Sequence, residues 1–147
     1  MIATVFALLV AMATPSPQHL ATIVVHAPNA DLQLQVAATD EERELGLMSV
    51  TYLPPHTGMV FVFDQDAPVE FWMKDTLVPL DMVFVAADGT VRSVASDVPV
   101  VSETTPDDQI PRREGIAKYV IELPAGEATK DGISAGVRLG DLLSSHS

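Results

Sequence analysis

Cysteine is absent from the 147 residues, which removes disulfides, thiol nucleophiles and cysteine-ligated zinc together. Basic residues are scarce: eight Lys and Arg stand against twenty Asp and Glu, a formal net charge of −12. Nucleic acid and anionic lipid surfaces are held through Lys and Arg on phosphate, so this balance opposes both as partners. The negative charges are scattered, as on a solvated surface, not gathered into an acidic tail. No glycine-rich phosphate loop, internal repeat or low-complexity stretch is present. Aromatic residues are few, and Trp72 is the only Trp, so an indole can mark one place only.

What is present begins with an apolar start. Residues 1–13 carry no charged side chain and end in Ala11-Met12-Ala13, followed by Thr14-Pro15-Ser16-Pro17. An apolar run of about a dozen residues closing on small residues two apart reads as a secretory signal peptide, although the usual Lys or Arg at its start is missing. It is too short for a bilayer span, which needs roughly 20 residues. No Cys follows it to carry a lipid. The expectation is a periplasmic or secreted protein with no membrane anchor after cleavage. Residues 14–20 then form a flexible leader, and residues 21–147 one domain, large enough to hold together by its own core.

Along that domain the apolar period is mostly two. Ala21–Ala27 and Leu32–Ala38 read as a hairpin around Pro28-Asn29-Ala30-Asp31. Thr39-Asp40-Glu41-Glu42 is a capping box that opens a helix running to about Gly46 or Met48, with Leu45 and Met48 toward the core. Pro54 and Pro55 prevent the helix from resuming. Gly58–Phe63, Val69–Met73, Met82–Ala87 and Val91–Ser96 read as strands, with Asp88-Gly89 as the tight turn between the last two. A loop over residues 98–115 leads to a strand at Ile116–Leu123, a short helix over residues 124–132 and a closing strand over residues 136–143. Seven or eight strands with two short helices define an α+β, mainly β domain whose antiparallel or mixed sheet curls toward a barrel or sandwich.

Three blocks carry a resemblance: Glu42-Arg43-Glu44-Leu45-Gly46-Leu47-Met48, Gly58-Met59-Val60-Phe61-Val62-Phe63, and Phe71-Trp72-Met73-Lys74 continuing to Pro79-Leu80-Asp81. With Val120-Ile121-Glu122-Leu123-Pro124-Ala125-Gly126 and Gly132-Ile133 to Gly140-Asp141 behind them, they are similar to the blocks of domain-of-unknown-function family 192. The resemblance covers roughly residues 32–143. The chain departs from the family at Asp75, where Asn is usual, at Val50, where Arg is common, and in the loop over residues 98–115. It implies a small, often exported, β-rich domain and no established activity.

Several motifs invite chemistry. Gly132-Ile133-Ser134-Ala135-Gly136 fits a nucleophile elbow, with Asp141 and His146 in hydrolase order. Its flanks are not strand and helix, and its partners crowd within a dozen residues, so a glycine-rich turn is the better reading. Met48, Met59, Met73 and Met82 could bind Cu(I), but their apolar neighbours indicate core packing. His19, His26, His56 and His146 show no helical pairing and no nearby carboxylate cluster, so no zinc site, and no metal or cofactor of any kind, is expected.

The stretch Val69 to Lys74 is the candidate site. As a strand it sends Val69, Phe71 and Met73 to one face and Glu70, Trp72 and Lys74 to the other. The second set places an indole between a carboxylate and an ammonium, with Arg43, Asp75, Thr76 and Asp81 nearby, as a ligand-binding surface requires. The bland alternative buries Trp72, pairs Glu70 with Lys74 and makes Asp81 a turn cap. The expected function is a binding or accessory domain of the cell envelope whose partner is a small molecule, a glycan or an envelope protein. A carbohydrate-active enzyme with Glu70 or Asp81 as acid or base, marked by a concave site with a raised-pKa carboxylate, is one alternative. A structural assembly partner, marked by an exposed apolar patch, is another.

Overall fold

The structure, a computed structural model, describes residues 14–142; the expected signal peptide and His146 lie outside the described residues. Strands β1 (Thr22–His26) and β2 (Asp31–Ala37) form the expected antiparallel hairpin. Its turn is closed by the Ala27 amide donating to the Ala30 carbonyl at 2.9 Å. Residues 14–20 have no regular structure but run against the domain: the Gln18 side-chain Nε2 donates to the Glu42 and Gly46 carbonyls, and the Leu20 main-chain amide donates to Gln35 Oε1. Thr39 caps α1 (Asp40–Leu45), its Oγ1 accepting from the Glu42 amide at 3.2 Å, and Gly46 at φ +48° ends it. Leu47 is the buried residue here; Leu45 and Met48, expected in the core, are only half-buried.

The two strands expected at 58–63 and 69–73 are one, β3 (Thr57–Trp72). A register shift between Val62 and Ala67 leaves Asp64, Gln65 and Asp66 exposed without ending the strand. Such a bulge breaks the period while the pairing continues on either side of it. β4 (Leu80–Val85) and β5 (Val91–Val98) turn at Asp88-Gly89, where Gly89 adopts φ +89°. β6 (Arg112–Pro124) starts earlier than the sequence indicates, because Arg112 to Gly115 pair with Trp72 to Val69. Pro124 therefore ends a strand, and α2 (Glu127–Lys130) starts only after the left-handed Gly126. The expected closing strand is replaced, among the described residues, by two isolated bridges, His26 to Gly140 and Thr90 to Arg138.

The result is a mostly β single domain with one six-stranded mixed sheet, in the order β1-β2-β3-β6-β4-β5 and with only β2 and β3 parallel. The sheet does not close on itself. Alternation divides the core between its two faces. Val60, Val62, Val83, Val85, Tyr119 and Ile121 pack on one side; Met59, Phe61, Met82, Phe84 and Val120 pack on the other. β4 is buried along its whole length, as a strand covered on both faces should be. Each large side chain fully buried there contributes roughly 1.5–3 kcal/mol. The second face carries α1, and with it the site.

Candidate functional site: the cleft beside the first helix

α1 ends against the Phe61 ring. A Cβ on Gly46 would stand 3.1 Å from Phe61 Cζ, so a glycine at this turn permits the close approach. The space left between the helix and the sheet is a cleft of about 270 Å³. Phe61, Phe63 and Phe71 of β3 line it and meet edge to face, with centroids 4.8 and 6.2 Å apart. Leu45 and Met48, displaced from the core, line it from the helix side.

Trp72, at the end of β3, is half-buried in its wall. Lys74 Nζ lies 5.0 Å and Arg112 Cζ 4.8 Å from the indole centroid, both within cation–π range. Each cation has an acidic partner: Arg112 Nη1 donates to Glu70 Oε1 at 2.9 Å, and Lys74 Nζ lies 3.2 Å from both Asp107 oxygens. Arg43 is also committed. It donates to the Ala38 and Val62 carbonyls at 2.7 Å and to Asp40 Oδ1 at 2.5 Å, tying α1 to β3.

The chemically distinctive group comes from β6. Glu122 lines the cleft yet is only 5% exposed, and burial pushes its carboxyl up to about 8. At neutral pH it is therefore mostly uncharged, offering one O–H donor and an acceptor inside an aromatic enclosure.

Of the residues singled out from sequence, Arg43, Glu70, Trp72, Lys74 and Thr76 line this one cleft. Asp75 lines the adjoining opening with Trp72 and Lys74, and its carbonyl accepts from the Ser49 amide at 2.9 Å. Asp81 does not belong. It is 1% exposed, and its oxygens accept from the Asp97 and Ala128 amides at 2.9 Å each, so it ties β4 to β5 and α2. The expected Glu70–Lys74 pair is replaced by Glu70–Arg112 and Lys74–Asp107. Trp72 is also not cleanly opposite Phe71 and Met73, since all three pack against the same apolar cluster. An indole is large enough to place one edge there while its face meets two cations.

Sequence reasoning missed Arg112, hidden in an expected loop, and Glu122. The available signal for Glu122 was a lone carboxylate inside the apolar run Tyr119-Val120-Ile121-Glu122-Leu123. The histidine expectation also needs correction. His26 lies 2.5 Å from Asp31, its partner across the hairpin, and 2.9 Å from Asp141, and His56 lies beside Glu127 and Asp131; apart from Asp31, these carboxylates come from distant positions in the chain. Met59, Met73 and Met82 are core residues, while Met48 lines the cleft. Ser134 is exposed in a glycine turn, its carbonyl accepting from the Val137 amide. No helix among the described residues is long and apolar enough to cross a membrane.

An open six-stranded sheet with one helix held over an aromatic, carboxyl-bearing cleft defines the class: a small mainly β domain with a small-molecule-sized recess. The family profile DUF192, described as Uncharacterized ACR, matches residues 22–140, and the chain belongs to that family. Two crystal structures share its fold. One is a candidate transcription regulator from Sinorhizobium meliloti 1021, 34% identical over 84% of this chain and 96% of that one, with a TM-score of 0.73. The other is a protein of unknown function from Novosphingobium aromaticivorans DSM 12444, 27% identical over 88% of this chain and 94% of that one, with a TM-score of 0.69. No curated protein is matched.

Proposed function

We propose that the protein is an exported small-molecule-binding accessory domain of the cell envelope, and that the cleft at Trp72 and Glu122 is its binding site. The observation that carries this reading is the buried carboxyl of Glu122 set among the aromatic side chains that line the cleft. A protonated carboxyl facing a recess offers one donor and one acceptor that a bound molecule can meet. The recess is slightly smaller than ordinary ligand clefts of about 300–1,000 Å³. Its occupant is thus a small ring-bearing molecule, uncharged where it meets Glu122, with one acceptor for the carboxyl proton. A glycan unit fits that description. The apolar start supports export, and the net charge of −12 opposes a nucleic-acid role.

The test is a thermal-shift screen of the purified chain against envelope saccharides and small uncharged ring compounds. A ligand at a hundredfold excess over its dissociation constant stabilises the native state by about 2.7 kcal/mol, several degrees in a domain of this size. Trp72→Ala should cost about 2 kcal/mol, because the indole is half-buried, and should abolish the response. Ligands that stabilise the folded variant as strongly as the natural chain would place binding elsewhere.

A second reading has one observation in its favour: Glu70, ion-paired to Arg112, and the neutral Glu122 line the same cleft. Two carboxyl groups in contrasting environments are what a glycoside-cleaving acid and its partner need. Asp81 cannot take that role. Hydrolysis of an oligosaccharide panel by the natural chain, lost in Glu122→Gln with binding retained, would establish it; no turnover by the natural chain removes it.

A further inference from the structure

Away from the cleft, α2 starts at Glu127 and is capped at its end by Asp131, one helical turn on, and the loop before β3 brings His56 to them. None of the three lines the cleft. The two carboxylate side chains are 6% and 1% exposed. His56 Nδ1 lies 2.9 Å from Asp131 Oδ1, an ion pair when the imidazole is protonated. Both Asp131 oxygens and Glu127 Oε2 are buried and make no well-aligned hydrogen bond. Leaving one such oxygen unsatisfied costs roughly 1–3 kcal/mol, and more when it is charged, so three within one cluster call for a common partner.

We propose that His56, Glu127 and Asp131 form a divalent-metal site of the zinc class. The three ligand atoms lie within 4.8 Å of one another. A tetrahedral ion with ligands at about 2.0–2.2 Å sets neighbouring ligand atoms about 3.4 Å apart. His56 Nδ1 stands 3.5 Å from Glu127 Oε2 and 2.9 Å from Asp131 Oδ1, so closure on an ion needs only small side-chain movements. One imidazole nitrogen with two carboxylate oxygens selects zinc over calcium, which takes six to eight oxygens, and over magnesium, which keeps octahedral water. The half-exposed His56 ring gives the ion its entry, and the fourth position is left to water or to a bound molecule. The rival account is a proton held between the two carboxyl groups; burial does push the Asp131 carboxyl up.

The deciding experiment is calorimetric titration of chelator-treated, full-length protein with zinc chloride, with calcium and magnesium chlorides as parallel arms. The expected result is one zinc per chain and a melting temperature raised by about 5–10 °C at a hundredfold excess over the dissociation constant. His56→Asn should weaken uptake at least tenfold. Asparagine tolerates the left-handed backbone at position 56 (φ +60°), so that variant folds even if Asp131→Asn does not. His26→Asn, which alters the other carboxylate-flanked histidine, should bind zinc as the natural chain does. No stoichiometric uptake, or uptake unchanged in His56→Asn, overturns the site and leaves the shared proton as the account of the buried oxygens.

Discussion

Between pH 5 and 7 the natural protein should lose about 3 kcal/mol of stability that the Glu122→Gln variant does not lose. The ordinary carboxyl value of 4.5 applies to the unfolded chain, whereas the folded value is about 8. Between those two values the native state holds a proton that the unfolded chain has released. Stability then falls as pH rises, by about 1.4 kcal/mol per unit. Below 4.5 both states hold the proton and the group has no effect; above 8 neither does and the cost is complete. Glutamine keeps the shape and hydrogen-bonding capacity but does not titrate. Other titrating groups, including His26 with its raised value from Asp31, act equally in both proteins and cancel in the difference. Against a total stability of about 5–15 kcal/mol this is a large effect, readable by urea unfolding at each pH. Parallel pH profiles for the two proteins would mean that Glu122 is solvated and that the cleft has no neutral carboxyl.

Gly58→Ala should be the most damaging single methyl in the protein. A Cβ at that position would lie 1.9 Å from the main-chain oxygen of Glu122 and 3.3 Å from a Leu123 methyl. The obstruction is backbone, so no side chain can rotate aside; β3 and β6 would have to separate where Met59 pairs with Glu122. A loss of at least about 3 kcal/mol is expected, at the severe end of overpacking. The same separation would open the strand that presents Glu122, so the variant should also lose the pH dependence described above. A melting temperature within a few degrees of the natural chain would contradict the β3–β6 register.

The features legible in the sequence are those set by neighbours along the chain. The β1–β2 hairpin follows from alternation around a Pro-Asn turn. The Thr39 cap follows from an oxygen placed three residues before an amide, and the β4–β5 turn from Asp88-Gly89. What escaped is set across the sheet. The bulge after Val62 looks like an interruption because its exposed acids break the period, yet β6 pairs on either side of it. Arg112 to Gly115 look like loop because their strand character comes from pairing with β3. Asp81 resembles a site residue until α2 and β5 deliver two amides to it. Glu122 is the sharpest case. A lone carboxylate in a strand reads as a solvent-facing position, yet the residues that share its cleft, Leu45 to Met48 and the phenylalanines of β3, come from far upstream. His56 with Glu127 and Asp131 has the same origin, with α2 as the covering element.

Emission from Trp72, the only indole in the chain, can report on Glu122, which lines the same cleft, without any ligand. An uncharged acid sharing the indole's recess should shift that emission as it loses its proton, in a single step centred at about 8, and the step should vanish when position 122 carries an amide. Emission that stays flat through this range, or that follows the same curve in Glu122→Gln, would show that the acid and the indole do not share one enclosure.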